Sequence, residues 1–108
     1  MSKLSNPAKE YMKLADVFEM AYNQAANGKG KERHASEKEN YEDQPICEIT
    51  RRVGMGYPLG QAMKKTQESL RFEEPQRRIA ELLGAINYLA AAVIIEMEAE
   101  SPDDTDAP

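Results

Sequence analysis

From about Pro75 to Glu98 the sequence is apolar around most of a helical circumference, and no other feature constrains the fold as strongly. Ile79, Leu82, Ile86, Leu89 and Val93 recur at alternating steps of three and four residues. A second, adjacent stripe is formed by Leu83, Asn87, Ala90, Ile94 and Met97. One apolar stripe buries a helix against one neighbour, and two require neighbours on two sides. Gly84, Ala85, Ala90, Ala91 and Ala92 are small enough to let partner backbones come close. A helix of this kind needs other helices, another subunit, or both.

The rest of the chain offers helices. Ser5 or Asn6 can cap a first helix with Pro7 at its first position, where a missing N–H costs nothing. Tyr11, Leu14, Ala15, Phe18, Ala21, Tyr22 and Ala25 then form one stripe, and Asn27-Gly28 closes the helix, which spans about 6–26. Residues 28–44 have no apolar periodicity and a single aromatic, which marks a long loop. A short helix over 45–53 carries Ile46, Ile49 and Val53, and Gly54-Met55-Gly56-Tyr57-Pro58 breaks it. The next helix, 58–71, places Leu59, Ala62, Met63, Thr66 and Leu70 on its inner face and Lys64, Lys65, Gln67 and Glu68 outside. Phe72 to Pro75 turns the chain into the final helix, 75–99. The expected architecture is all-α: one helical domain over 1–100, an N-terminal helix plus a long antiparallel helical hairpin, assembled as a helical-bundle homo-oligomer through the 75–99 helix. The tail 101–108 is acidic, lacks an apolar anchor and is expected to be disordered.

Composition narrows the function classes. At 108 residues the chain buries only a modest core. A net charge of −5 argues against general binding to nucleic-acid backbone, which needs a basic surface. The cations nevertheless gather in the middle of the chain and the acids in the tail, which leaves room for a local anion site. Cys47 is the single cysteine, so no intramolecular disulfide forms and a reducing cytosol is the natural setting. The segment MSKLSNPAKE has no apolar core of a signal peptide. The longest apolar run, Leu82 to Ile95, has 14 residues, short of the roughly 20 that cross a bilayer. No membrane is expected as a partner, and the expected location is the cytoplasm.

Few residues carry chemistry. Gly28 to His34 (GKGKERH) puts Lys29, Lys31 and Arg33 among glycines whose backbone can approach an anion, although the P-loop spacing is absent. A solvated charged loop is the other reading of the same residues. His34, the only histidine, can contact a base or ribose, or stand on a plain surface, and it has no partners for a zinc site. Arg51, Arg52 and Lys64 flank the glycine-rich break, where Tyr57 can stack on a base or close the core. Asp16 and Glu19 have the spacing of a magnesium-binding pair, and the last helix adds only Glu81. Asn87, the one polar residue inside the apolar helix, fixes register or oligomer state, or reads a ligand edge. No metal, no cofactor and no catalytic residue is expected.

GKGKERHA (28–35), YEDQPICEI (41–49), GMGYPLGQAMKK (54–65) and ELLGAINYLAAAVI (81–94) together resemble small proteins encoded by bacteriophages. Two groups are near this pattern. One is the MazG-like nucleotide pyrophosphohydrolases, all-α oligomers whose ExxE and ExxD pairs need an acid where this chain has Gly84. The other is the phage anti-defence sponges, which sequester the cyclic nucleotide signals of bacterial CBASS and Thoeris immunity. Their helical hairpin begins near a DQ element and ends in a small-residue-rich apolar helix, and Asp43-Gln44 and Leu83 to Ile94 stand in those places. The resemblance implies a phage protein in the cytoplasm of an infected cell that binds a phosphorylated, cyclic nucleotide without catalysis. Lys29, Lys31 and Arg33 would meet phosphates, His34 and Tyr57 bases or ribose, and Arg51, Arg52 or Lys64 would complete the pocket. Two alternatives stay open: a magnesium-dependent pyrophosphohydrolase using Asp16, Glu19 and Glu81, and a protein-interaction inhibitor of a host or CRISPR protein.

Overall fold

Prolines and glycines divide the described residues into four α-helices: α1 (Met12–Asn27), α2 (Pro45–Val53), α3 (Gly56–Ser69) and α4 (Pro75–Ala99). The computed structural model describes residues 6–28 and 39–100, and among them there is no strand. The all-α expectation holds. The basic segment 29–38 and the tail 101–108 lie outside the described residues, as does Ser5.

The chain enters α1 later than its capping residues suggest. Ala8 is extended, with ψ 147°, and its carbonyl accepts the Tyr11 N–H at 3.0 Å to close a 3-10 turn over Lys9–Tyr11. Tyr11 (φ −117°, ψ 17°) departs from helical geometry, so the α-helix starts at Met12 and Pro7 sits in the lead-in. Within the expected loop 28–44, a second 3-10 turn forms at Tyr41–Asp43. It leads directly into α2, where the Gln44 carbonyl accepts the N–H groups of Cys47 and Glu48 at 3.0 and 2.9 Å.

Gly54 ends α2 at φ +102°, a backbone region that side chains with a Cβ rarely adopt. Its N–H donates to the Thr50 carbonyl at 2.8 Å, and its own carbonyl accepts the Tyr57 N–H at 3.2 Å. The next helix therefore starts at Gly56, two residues ahead of Pro58. Pro58 lies within its first turn, where no N–H is needed.

Along α3, Tyr57 meets Tyr88 and Lys65 reaches Glu81 at 3.5 Å, so α3 and α4 run past each other in opposite directions. The surface between the helices is built of small side chains. Ala62, Cys47, Ala85, Ala91 and Ala92 are buried, with Leu83 the only large aliphatic among the buried residues described. A Cβ at Gly84 would stand 2.9 Å from Lys65 Cδ. Glycine here seats the lysine stem on α4 while the ammonium reaches Glu81 one turn away.

The inner face expected for α3 is corrected. Of its expected members only Ala62 is buried, joined by Pro58 and Ser69, whereas Thr66 is exposed and Leu59, Met63 and Leu70 are 45%, 66% and 82% exposed. Small residues allow two helix axes to approach at the short end of the usual 8–10 Å, a separation that leucine and methionine at the same positions would prevent. The stripe on α1 behaves alike: Ala21 is its one buried member, and Tyr11, Leu14, Phe18 and Tyr22 are exposed. Hydrogen bonds fasten α1 instead. The Asn87 amide donates to the Ala21 carbonyl at 3.0 Å and to Gln24 Oε1 at 3.3 Å, and the Gln24 amide donates to the Ala80 carbonyl at 3.0 Å. With α1, α2 and α3 all packed on it, α4 is the central element. By length and composition α4 is also apolar enough to cross a membrane.

Candidate functional site

The packing leaves a groove of about 530 Å³ between α1 and α4, bounded by the 3-10 turn. Phe18 and Tyr22, one helical turn apart, line it from α1; Ile94 and Asn87 line it from α4; Tyr41 and Gln44 line it from the turn. Tyr41 donates its hydroxyl proton to the Asn87 carbonyl at 2.7 Å. Burial, with smaller additions from Cys47 and Tyr88, holds the phenol far above its ordinary range, so it stays protonated and keeps that bond. The Gln44 amide donates to the Glu39 carbonyl at 3.3 Å. Aromatic rings and fixed amides around an open apolar space suit a flat ring with polar edges, held by stacking and edge contacts.

The residues singled out in sequence are not gathered here. Lys29, Lys31, Arg33 and His34 lie outside the described residues. Their segment nevertheless begins after Gly28, two residues beyond Ala26, and ends before Glu39, and both Ala26 and Glu39 line the groove. Arg51 is committed to the protein: its guanidinium donates to Glu98 at 2.6 and 3.0 Å and to the Glu42 carbonyl at 2.7 Å, tying α2 to the end of α4. The hydrogen bond from Arg51 holds the Glu98 carboxyl below its usual range. Arg52 stands 3.7 Å from Glu48, and Lys64 stands 3.9 Å from Glu68, both on the outer surface. Tyr57 packs edge-on against Tyr88, with ring centroids 6.0 Å apart, and burial followed by the hydrogen bond with Tyr88 raises its pKa. None of Arg51, Arg52, Tyr57 and Lys64 lines the groove.

Asn87 ties α1 to α4 through its amide, and it also lines the groove. Tyr41 escaped sequence reasoning, although its being the single aromatic in a charged segment was a signal. Phe18 and Tyr22 belong to the apolar stripe of the first helix, whose periodicity alone reads as core. Of the carboxylates, Asp16 and Glu19 are exposed on α1, and Glu81 is engaged by Lys65. Among the described residues no group of three or more His, Cys, Asp or Glu stands close enough to hold a metal ion. The Cys47 thiol is buried, and burial raises its pKa against the opposing pull of Arg51. No protein family, curated protein or solved structure matches this chain.

Proposed function

We propose that the protein is a non-catalytic helical binding protein that captures a nucleotide-type ligand, with the base in the α1–α4 groove. The observation that carries this reading is the groove itself: two aromatic rings one turn apart, facing an anchored tyrosine and amide pair, at the two ends of the segment that holds Lys29, Lys31 and Arg33. In this reading those cations meet the phosphates, and the base stacks on Phe18 or Tyr22 while Asn87 or Gln44 meets its edge. The phosphate part rests on sequence alone. The working unit is a helical-bundle homo-oligomer built on the antiparallel α3–α4 pair. The resemblance to phage sponges supplies the setting, withdrawal of a nucleotide signal in an infected cell, and the cyclic form of the ligand.

Calorimetric titration with cyclic di- and trinucleotides and with ordinary mononucleotides tests it. The expected result is saturable heat with at least one nucleotide, lost in Tyr22→Ala at unchanged helix content. No heat from any member of the panel would end this reading.

The exposed apolar faces of α1, α3 and α4 favour a second reading, a protein-interaction module. A stoichiometric host protein recovered with the purified chain, in the absence of nucleotide binding, would select it.

A further inference from the structure

We infer that the face of the α3–α4 pair turned away from α2 is a self-association surface, on which a second copy packs with its α4 antiparallel to the first. Ile79, Leu82, Leu89 and Val93 are 43–56% exposed, and with half-buried Ile86, which also lines the edge of the α1–α4 groove, they keep the 3-4-3-4 spacing of a coiled-coil seam over two heptads. On α3, Leu59, Met63 and Leu70 form an exposed stripe at four- and seven-residue steps. Helical phase puts the two stripes on the same side. Leu82 and Leu89 border buried Ala85 and Ala92 on one flank, and Leu59 and Met63 border buried Ala62 on the matching flank of an antiparallel neighbour.

This chain has little else to cover the face. Segment 29–38 contributes Ala35 as its only apolar side chain, the tail 101–108 has nothing larger than Ala107 and two prolines, and segment 1–5 has only Met1 and Leu4, too little to cover two helices. The area suits a copy. The 25-residue α4 is about 37 Å long and the 14-residue α3 about 21 Å, and at about 10 Å of width each they present on the order of 600 Å². A standard interface buries about 800 Å² per partner.

Charge selects the second copy and its orientation. Arg78, whose Nη1 donates to the Phe72 and Glu73 carbonyls at 2.7 Å each, precedes the first seam residue and fixes a positive charge there, while Glu96 and Glu100 follow the last on the same helical face. A parallel copy would set Arg78 against its own equivalent and the acids against theirs. An antiparallel copy sets Arg78 beside the partner's Glu96, with Ile86 facing the partner's Leu89 at the centre.

The inference rests on the oligomeric part of the proposed function and not on the ligand. A dimer that binds no nucleotide would leave it standing and remove the nucleotide reading. Sedimentation equilibrium of the full chain should give a dimer or a larger even assembly, and Leu89→Glu should shift it to monomer with the helical circular dichroism retained. Orientation is read by oxidative cross-linking, which fully buried Cys47 does not disturb. The double variant Ile79→Cys/Glu96→Cys should form covalent dimers, and neither single variant should. A monomeric wild type, an assembly that Leu89→Glu leaves intact, or cross-linking of Ile79→Cys alone would overturn the inference. So would a monomer that sediments only with phosphatidylcholine vesicles, which would name lipid as the occupant.

Discussion

On one side of α4, Ala85, Ala91 and Ala92 are buried among the other helices; on the other, Leu82, Leu89 and Val93 stand about half exposed. Both sides belong to one continuous helix, and apart from buried Leu83 the side chains it buries are small. The small side gains from close backbone approach and from many dispersion contacts at short range. The large side keeps apolar surface in water at a cost of about 25 cal/mol for each Å². The comparison shows that the tightest packing in this fold is made by alanines, cysteine and threonine, while the residues with the most transfer energy to gain remain available to a partner. α3 repeats the division, with Ala62 and Ser69 inside and Met63 and Leu70 outside.

Replacing a residue on the small side should have the largest effect. Ala91 is 0% exposed, so Ala91→Leu forces a branched side chain into a filled space. It should lower unfolding free energy by about 3 kcal/mol, the upper part of the range for overpacked cores. Urea denaturation measures this, and a loss below 1 kcal/mol would show that the seam is loose and the contrast false. On the large side, Leu89→Ala should cost only about 1 kcal/mol when measured at a dilution where chains are separate, because half of the side chain is already in water. At higher concentration the cost should grow as assembly is lost. A cost that does not depend on concentration would break the comparison.

The smallest effect is electrostatic and lies where α2 meets the end of α4. Glu98 is held below its ordinary value, near 4.3 when unfolded, mainly by the hydrogen bond from Arg51. A depressed carboxylate contributes stability that is present above the unfolded pKa and lost as pH falls through the folded value. Both partners are solvent-accessible, so the contribution is small and salt-sensitive. Wild type should exceed Glu98→Gln in stability at neutral pH, and thermal melts should converge as pH drops below about 5. Divergence toward acid would mean that the pair does not form.

The four helices were legible in the sequence because each carries apolar residues at helical steps and each break carries Gly or Pro. Gly54 shows the mechanism: the residue that stops a helical pattern on paper adopts φ +102° in the fold. Which face would be inside was not legible. Periodicity weights residues by hydrophobicity, so it pointed to Leu59, Met63 and Leu70 along with Ala62, whereas close packing selects by size and kept only Ala62 of these, adding Pro58 and Ser69. The groove was hidden for a related reason. Tyr41 and Asn87 are 46 residues apart, and no local pattern announces that the hydroxyl of one will meet the carbonyl of the other. Of the candidate cations, the described ones turn to carboxylates at 2.6–3.9 Å; the local pairs Arg51–Glu48, Arg52–Glu48 and Lys64–Glu68 have helical spacing in the sequence, and the Arg51–Glu98 pair does not.

By itself, then, the sequence determined that the chain is helical, where its helices break, and that 75–99 lies at their centre, because those outcomes follow from local backbone preference and from the mean apolarity of one segment. Tertiary structure alone decided which stripe is core, why Gly84 is glycine, and that an aromatic groove opens beside Asn87. Those outcomes depend on how closely two helices can approach, a quantity set jointly by residues far apart in the chain.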